Sequence, residues 1–227
     1  MNKFWNFKED GGQRTLRLEG PISDETWWGD EVTPAAFKAD LHAGKGDICV
    51  WIHSPGGDVF AAAQIYNMLR EYPGRVTVKI DGLAASAASV IAMAGAEVLM
   101  SPVSYMVIHN PATVAIGDSQ EMLRAKAMLD EVKEGIVNAY QAKTKLPRER
   151  ISQLMNDETC FSARSAVELG FADGILYADG QVEDSRPLVV FSRMSVTNSL
   201  LNKLPVQLKP GWATYDDLMA DLNKLEH

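Results

Sequence analysis

Four short segments of this chain carry residue types that can do chemistry together. Ser86 lies in Asp81-Gly82-Leu83-Ala84-Ala85-Ser86-Ala87-Ala88-Ser89, where small neighbours let another molecule approach its hydroxyl. A serine at a helix start also gains from the helix dipole. The same residue would serve as a plain N-cap, and Ser89, three positions on, competes for the same role. The chain has four histidines, His42, His53, His109 and His227. His109 closes the apolar run Val107-Ile108, ahead of Asn110-Pro111, and an imidazole there is a general-base candidate. His53 is the rival base, whereas His42 sits at a polar helix end.

His53 also opens His53-Ser54-Pro55-Gly56-Gly57-Asp58, a turn whose two glycines let backbone approach a ligand. Free N–H groups at the following helix start can bind a phosphate or a developing oxyanion. Neither G-x-x-x-x-G-K-[ST] nor G-x-G-x-x-G occurs, which disfavours the phosphate. The fourth segment, Met155-Asn156-Asp157-Glu158-Thr159-Cys160-Phe161-Ser162-Ala163, holds two carboxylates on a loop between helices. Either could orient His109 and stabilise its imidazolium.

Strand and helix signals alternate in the elements that must position these groups. Thr15 to Glu19, Asp47 to Ile52, Arg75 to Ile80, Glu97 to Met100 and Tyr105 to Ile108 read as strands. Helices are expected from Thr33-Pro34 to about Ala43, from Asp58 to Glu71 and from Ala84 to Ala94. A long helical pattern runs from Gly117 to Lys145, followed by Pro147 to Met155 and by Ala163 to Leu169, which Gly170 closes. Strands separated by helices imply right-handed crossovers, an α/β fold and a mostly parallel sheet. Residues 1–180 are expected to form one domain, and 181–224 a C-terminal extension with a short helix at Tyr215 to Leu222. Residues 225–227, Leu-Glu-His, resemble an expression-tag remnant.

The 227 residues are 46% apolar and 23% charged, which excludes whole-chain disorder, collagen and coiled coil. A net charge of −8 lacks the basic footprint of nucleic-acid binding. Cys49 and Cys160 have no metal-ligand spacing and fit a reducing compartment as small apolar fillers. The most apolar stretch, Ala84 to Ala96, is too short to span a bilayer, and no signal-peptide core opens the chain. A cytoplasmic protein with no membrane and no nucleic-acid partner is expected.

Taken in order, the four segments resemble the Clp protease proteolytic subunit, the S14-type serine peptidases of the ClpP/crotonase-like fold. The likeness runs from about Leu16 to Ile175. Ser54-Pro55-Gly56-Gly57 matches the family's S-P-G-G turn, Gly82 to Ser86 its G-x-A-A-S motif, and Ile108-His109-Asn110-Pro111 its I-H-x-P context. The resemblance implies Ser86 as nucleophile, His109 as general base, and the N–H groups of Gly57 and Ala87 as oxyanion hole. Counting back from Ser162-Ala163, it places the third member at Glu158, where the family usually has Asp, with Asp157 the second choice. It further implies a protein or peptide substrate, no cofactor or metal, and a long handle helix between stacked rings of a homo-heptamer or tetradecamer. The long tail is similar to phage and prophage ClpP-like proteases associated with capsid maturation, so an ATPase unfoldase and a phage capsid are both open as partners.

Three readings compete. Acyl-CoA hydratases and isomerases share the fold and the paired backbone donors but need no Ser–His dyad. A signal-peptide peptidase relative would pair the serine with a lysine, and Lys79 and Lys126 leave that open. A degenerate ring subunit would only scaffold an assembly.

Overall fold

The computed structural model describes residues 3–10, 13–23, 34–177 and 191–192. They form an α/β fold around a nine-stranded mixed sheet. A hairpin opens the chain: β1 (Trp5–Asp10) runs antiparallel to β2 (Gln13–Glu19). β2, β3 (Ile48–Ser54) and β4 (Val76–Ala85) are then parallel neighbours, joined by α1 (Pro34–His42) and α2 (Val59–Arg70). Pro34 takes the first helical position of α1, and the Asp58 carboxylate caps α2 by accepting from Ala61 N–H at 2.6 Å.

β4 changes partner along its length. Its first half, Thr77 to Ile80, pairs with β5 (Glu97–Met100), and its last three residues, Leu83 to Ala85, pair with β6 (Tyr105–Val107). α3 (Ala87–Ala92) lies between them in sequence and is buried at every residue. The expected helix start at Ala84 is therefore wrong. β6 offers backbone partners to Leu83, Ala84 and Ala85, and this pairing outweighs the helix preference of the alanines. The strand β1 was not foreseen either, and neither was β7 (Thr159–Ser162), which replaces part of the expected loop and runs antiparallel to β6. Two short strands complete the sheet, β8 (Gly174–Ile175) on β5 and β9 (Phe191–Ser192) on β7.

Leu16, Leu18, Val50, Ile52, Val78 and Ile80 put one continuous apolar layer under the helices, none more than 1% exposed. Burying each side chain of this size is worth roughly 1.5–3 kcal/mol. The long helix α4 (Ser119–Thr144) has buried residues only from Ile136 onward, so its amino-terminal half projects from the core. α5 (Arg148–Asn156) and α6 (Ala163–Glu168) follow, the latter capped by Ser162 and closed by Gly170 at φ 78°. The expected helix at Tyr215 to Leu222 and most of the extension, 181–224, lie outside the described residues.

Candidate active site

Ser86 occupies the corner between β4 and α3. Its φ of 55° and ψ of −126° are unusual for a residue with a side chain, and its hydroxyl makes no capping bond to α3. The plain N-cap reading therefore does not describe it. A non-glycine residue held in such a region costs about 1–3 kcal/mol, so the surroundings must fix it. Ser86 N–H donates to Val107 O on β6 at 2.8 Å, and Ser89 N–H donates back to Ser86 O at 2.9 Å. On the other side stands Gly56 at φ 92°, packed against the backbone of Ala85 and Ala87.

Gly57 follows in an extended turn bridged to Ile22, whose hydrogen bonds run from Ile22 N to Gly56 O and from Asp58 N to Ile22 O. The Gly57 N–H takes no part in that bridge. Ala87 N–H, at the first position of α3, has no intrahelical acceptor. Both residues line the same cleft as Ser86 and His109, of about 390 Å³, with Val90, Met128, Val132, Ile136 and Tyr140 among its walls. A second apolar groove of about 410 Å³ shares Val59, Phe60, Val90, Val132 and Ile136 with it.

His109 is half-buried just beyond β6. Its Nδ1 lies 2.5 Å from Asn110 O. A carbonyl oxygen can only accept, so Nδ1 is the donor, and in a neutral imidazole that leaves the lone pair on Nε2. Behind it, Asn110 Nδ2 donates to Asn156 Oδ1 at 2.9 Å, and Lys133 Nζ of α4 donates to the same oxygen at 2.9 Å. Sequence reasoning missed this polar cluster because its members are far apart in the chain and its key acceptor is backbone.

The carboxylates stand apart from the cleft walls. Asp157 ends α5 and is exposed. Glu158 is held at φ 47° in the turn before β7. Neither hydrogen-bonds to His109 among the described residues. The β6–β7 register pairs Val107 with Cys160, and Ile108 N–H donates to Thr159 O at 3.0 Å. The ladder stops there, because Glu158 at φ 47° leaves the extended backbone.

The rival residues lie elsewhere. Ser89 is fully buried and committed to Ser86 O and Tyr140 OH. His53 lies outside the cleft lining, its ring against Gly82, and the His42 ring is tilted against Tyr72 at 6.4 Å between centroids. Lys79 lies over Trp51 at 5.3 Å and Lys126 pairs with Asp130 at 2.6 Å, so neither lines the Ser86 cleft. Burial pushes the phenol of Tyr140 well above its ordinary range, with the Ser89 hydrogen bond opposing more weakly, so it remains a donor. Burial also raises both cysteine thiols, Cys49 and Cys160, which are free. Among the described residues no cluster of three His, Cys, Asp or Glu could hold a metal ion, and no helix is long and apolar enough to cross a membrane.

The sequence model of the family described as Clp protease matches residues 12–179. The ATP-dependent Clp protease proteolytic subunit 1 of Chlamydia caviae is 31% identical over 170 residues, 73% of this chain and 87% of that protein. The chloroplastic ATP-dependent Clp protease proteolytic subunit 6 of Arabidopsis thaliana is 30% identical over 135 residues, 58% of this chain and 49% of that protein.

Proposed function

This chain belongs to the Clp protease family, and from that premise we propose that it is a serine endopeptidase whose nucleophile is Ser86. The observation that carries the reading is the single cleft shared by Ser86, His109, Gly57 and Ala87. His109 Nε2 takes the proton as Ser86 Oγ attacks the scissile peptide carbonyl. The N–H groups of Gly57 and Ala87 stabilise the tetrahedral oxyanion, and His109 then protonates the leaving amine. Water, activated by the same imidazole, hydrolyses the acyl-enzyme and regenerates Ser86. In this reading Asn110 O fixes the imidazole tautomer, and Glu158, with Asp157 second, supplies the negative charge that favours the imidazolium.

No metal or nucleotide enters these steps. The apolar walls of the cleft fit an apolar side chain beside the scissile bond. The half of α4 that leaves the core exposes Met122, Leu123 and Met128, a surface that suits packing between copies of this chain. We assign the chain to a homo-heptamer or tetradecamer of the ClpP/crotonase-like fold with α4 as the handle, in the cytoplasm. Its work in this reading is protein degradation with an ATPase partner, in line with the words ATP-dependent in the relatives' names, or phage capsid maturation.

Labelling with a fluorophosphonate probe tests the assignment, with native mass spectrometry recording assembly. Labelling lost in Ser86→Ala and His109→Ala but kept in the assembled wild type supports it. An assembled wild type that takes no label would instead favour a ring scaffold or an acyl-CoA enzyme.

A further inference from the structure

We propose that Ser89 and Tyr140 are positioning residues for the oxyanion hole: together they draw the Ser86 carbonyl inward and so turn the Ala87 N–H toward the cleft. The inference rests on the peptidase reading of that cleft.

The Ser86 carbonyl and the Ala87 N–H belong to one peptide group. That group is trans, as no cis peptide occurs among the described residues, so the two dipoles point in opposite directions. Whatever anchors the carbonyl therefore aims the N–H. The carbonyl accepts from Ser89 N–H at 2.9 Å and from Ser89 Oγ at 2.5 Å. A serine hydroxyl has one proton, and this one is committed to an acceptor that cannot donate. The 2.8 Å contact between Ser89 Oγ and Tyr140 OH must then be donated by the tyrosine. The direction of the relay is set: Tyr140 O–H to Ser89 Oγ, and Ser89 O–H to Ser86 O.

Ser89 is 0% and Tyr140 1% exposed, so water does not compete for either bond. In such surroundings each hydrogen bond of a chain polarises the next, which makes Ala87 N–H a stronger donor as well as a better-aimed one. Because Ser86 sits at φ 55°, the chain would not hold this peptide orientation unaided. Tyr140 enters from α4, 51 residues away in sequence, and lines the same cleft.

Tyr140→Phe removes only the hydroxyl, and Ser89→Ala removes both side-chain bonds. Both are compared with wild type for kcat and KM on a fluorogenic peptide and for the inhibition constant of a peptide boronic acid. The boronate adduct of Ser86 places an oxygen where the oxyanion would form. Thermal melting and native mass control for fold and assembly. The expected result is KM within about twofold, and kcat lower by about 10-fold in Tyr140→Phe and about 30-fold in Ser89→Ala. Those losses are smaller than the roughly 10²–10³ that follows removal of an oxyanion donor outright. Boronate affinity should weaken by the same factor as kcat/KM. Unchanged kcat and boronate affinity in a folded, assembled Tyr140→Phe would overturn the inference and leave the peptidase reading standing. If Tyr140→Phe does not assemble, Ser89→Ala decides, and failure of both to assemble would mark the pair as structural only. A wild type that neither cleaves peptides nor binds boronate would remove the peptidase reading and this inference with it.

Discussion

Gly56 and Ser86 meet so closely that a methyl group on Gly56 would lie 2.7 Å from the Cβ of Ser86. The same methyl would stand 2.6 Å from Ala85 O and 3.0 Å from Ala87 N, and backbone atoms cannot swing aside as a flexible side chain can. The glycine turn after β3 is thus the second half of the mould that shapes the corner after β4.

Gly56→Ala should therefore damage activity out of proportion to stability. Gly20→Ala is the matched control, because Gly20 also has positive φ, 83°, but nothing within 4 Å of an added Cβ. Each substitution carries the backbone penalty of about 1–2 kcal/mol for a left-handed L-residue. Only Gly56→Ala also displaces Ser86 and Ala87, and displaced oxyanion donors lower kcat by about 100-fold or more. Peptide-cleavage rates measured beside thermal melts should separate the two variants. Equal kcat in both would contradict the role given to this contact.

Glu158 and Asp157 can be told apart by charge-neutral swaps. Where an amide replaces a triad carboxylate that alone sets the tautomer, the loss reaches about 10⁴-fold, because the amide stabilises the wrong imidazole. Here Asn110 O already holds Nδ1–H. Glu158→Gln should then remove only the negative charge proposed for the third position and lower kcat by about 10- to 100-fold, well short of that figure. Asp157→Asn, at an exposed helix end, should leave kcat unchanged within about twofold, as surface polar swaps do. A 10⁴-fold loss in Glu158→Gln would mean that the carboxylate, not the carbonyl, orients the base.

Much of this arrangement was legible in the sequence where a signal is local. Asp58 and Ser162, residue types that favour N-caps, do cap α2 and α6 just ahead of the helical patterns, and the glycine pair marked the turn after β3. Where partners are distant, the signal failed. Ala84-Ala85 reads as helix by propensity, and only pairing with β6 makes it strand. β7 has four residues between two helical patterns, too few for alternation to show. The bond from His109 to Asn110 O uses a backbone atom, which has no residue type to read. The Ser89–Tyr140 contact joins residues whose spacing of 51 carries no periodic signature. A buried stripe on α4, with Ile136, Val137, Ala139 and Tyr140, was the one local sign that the tyrosine faces inward.

The walls of the cleft imply a substrate preference that can be measured directly. Val90, Met128, Val132 and Ile136 present hydrocarbon beside Ser86, and the described residues put no lysine or arginine among the cleft's walls. A leucine side chain before the scissile bond buries three more carbons than alanine. At about 0.8 kcal/mol for each, that is worth roughly 2.4 kcal/mol, or about 50-fold in kcat/KM if fully expressed in the transition state. An aspartate at that position would lose its hydration without gaining a partner and should be cleaved more slowly than alanine. Val132→Asp, in the wall itself, should erase most of the leucine preference while changing the rate on the alanine peptide by less than about threefold, since the lost binding energy belongs to the larger side chain. Matched peptides differing only at this residue provide the measurement. Faster cleavage of the aspartate peptide than of the leucine peptide by wild type would show that the substrate side chain does not enter this cleft.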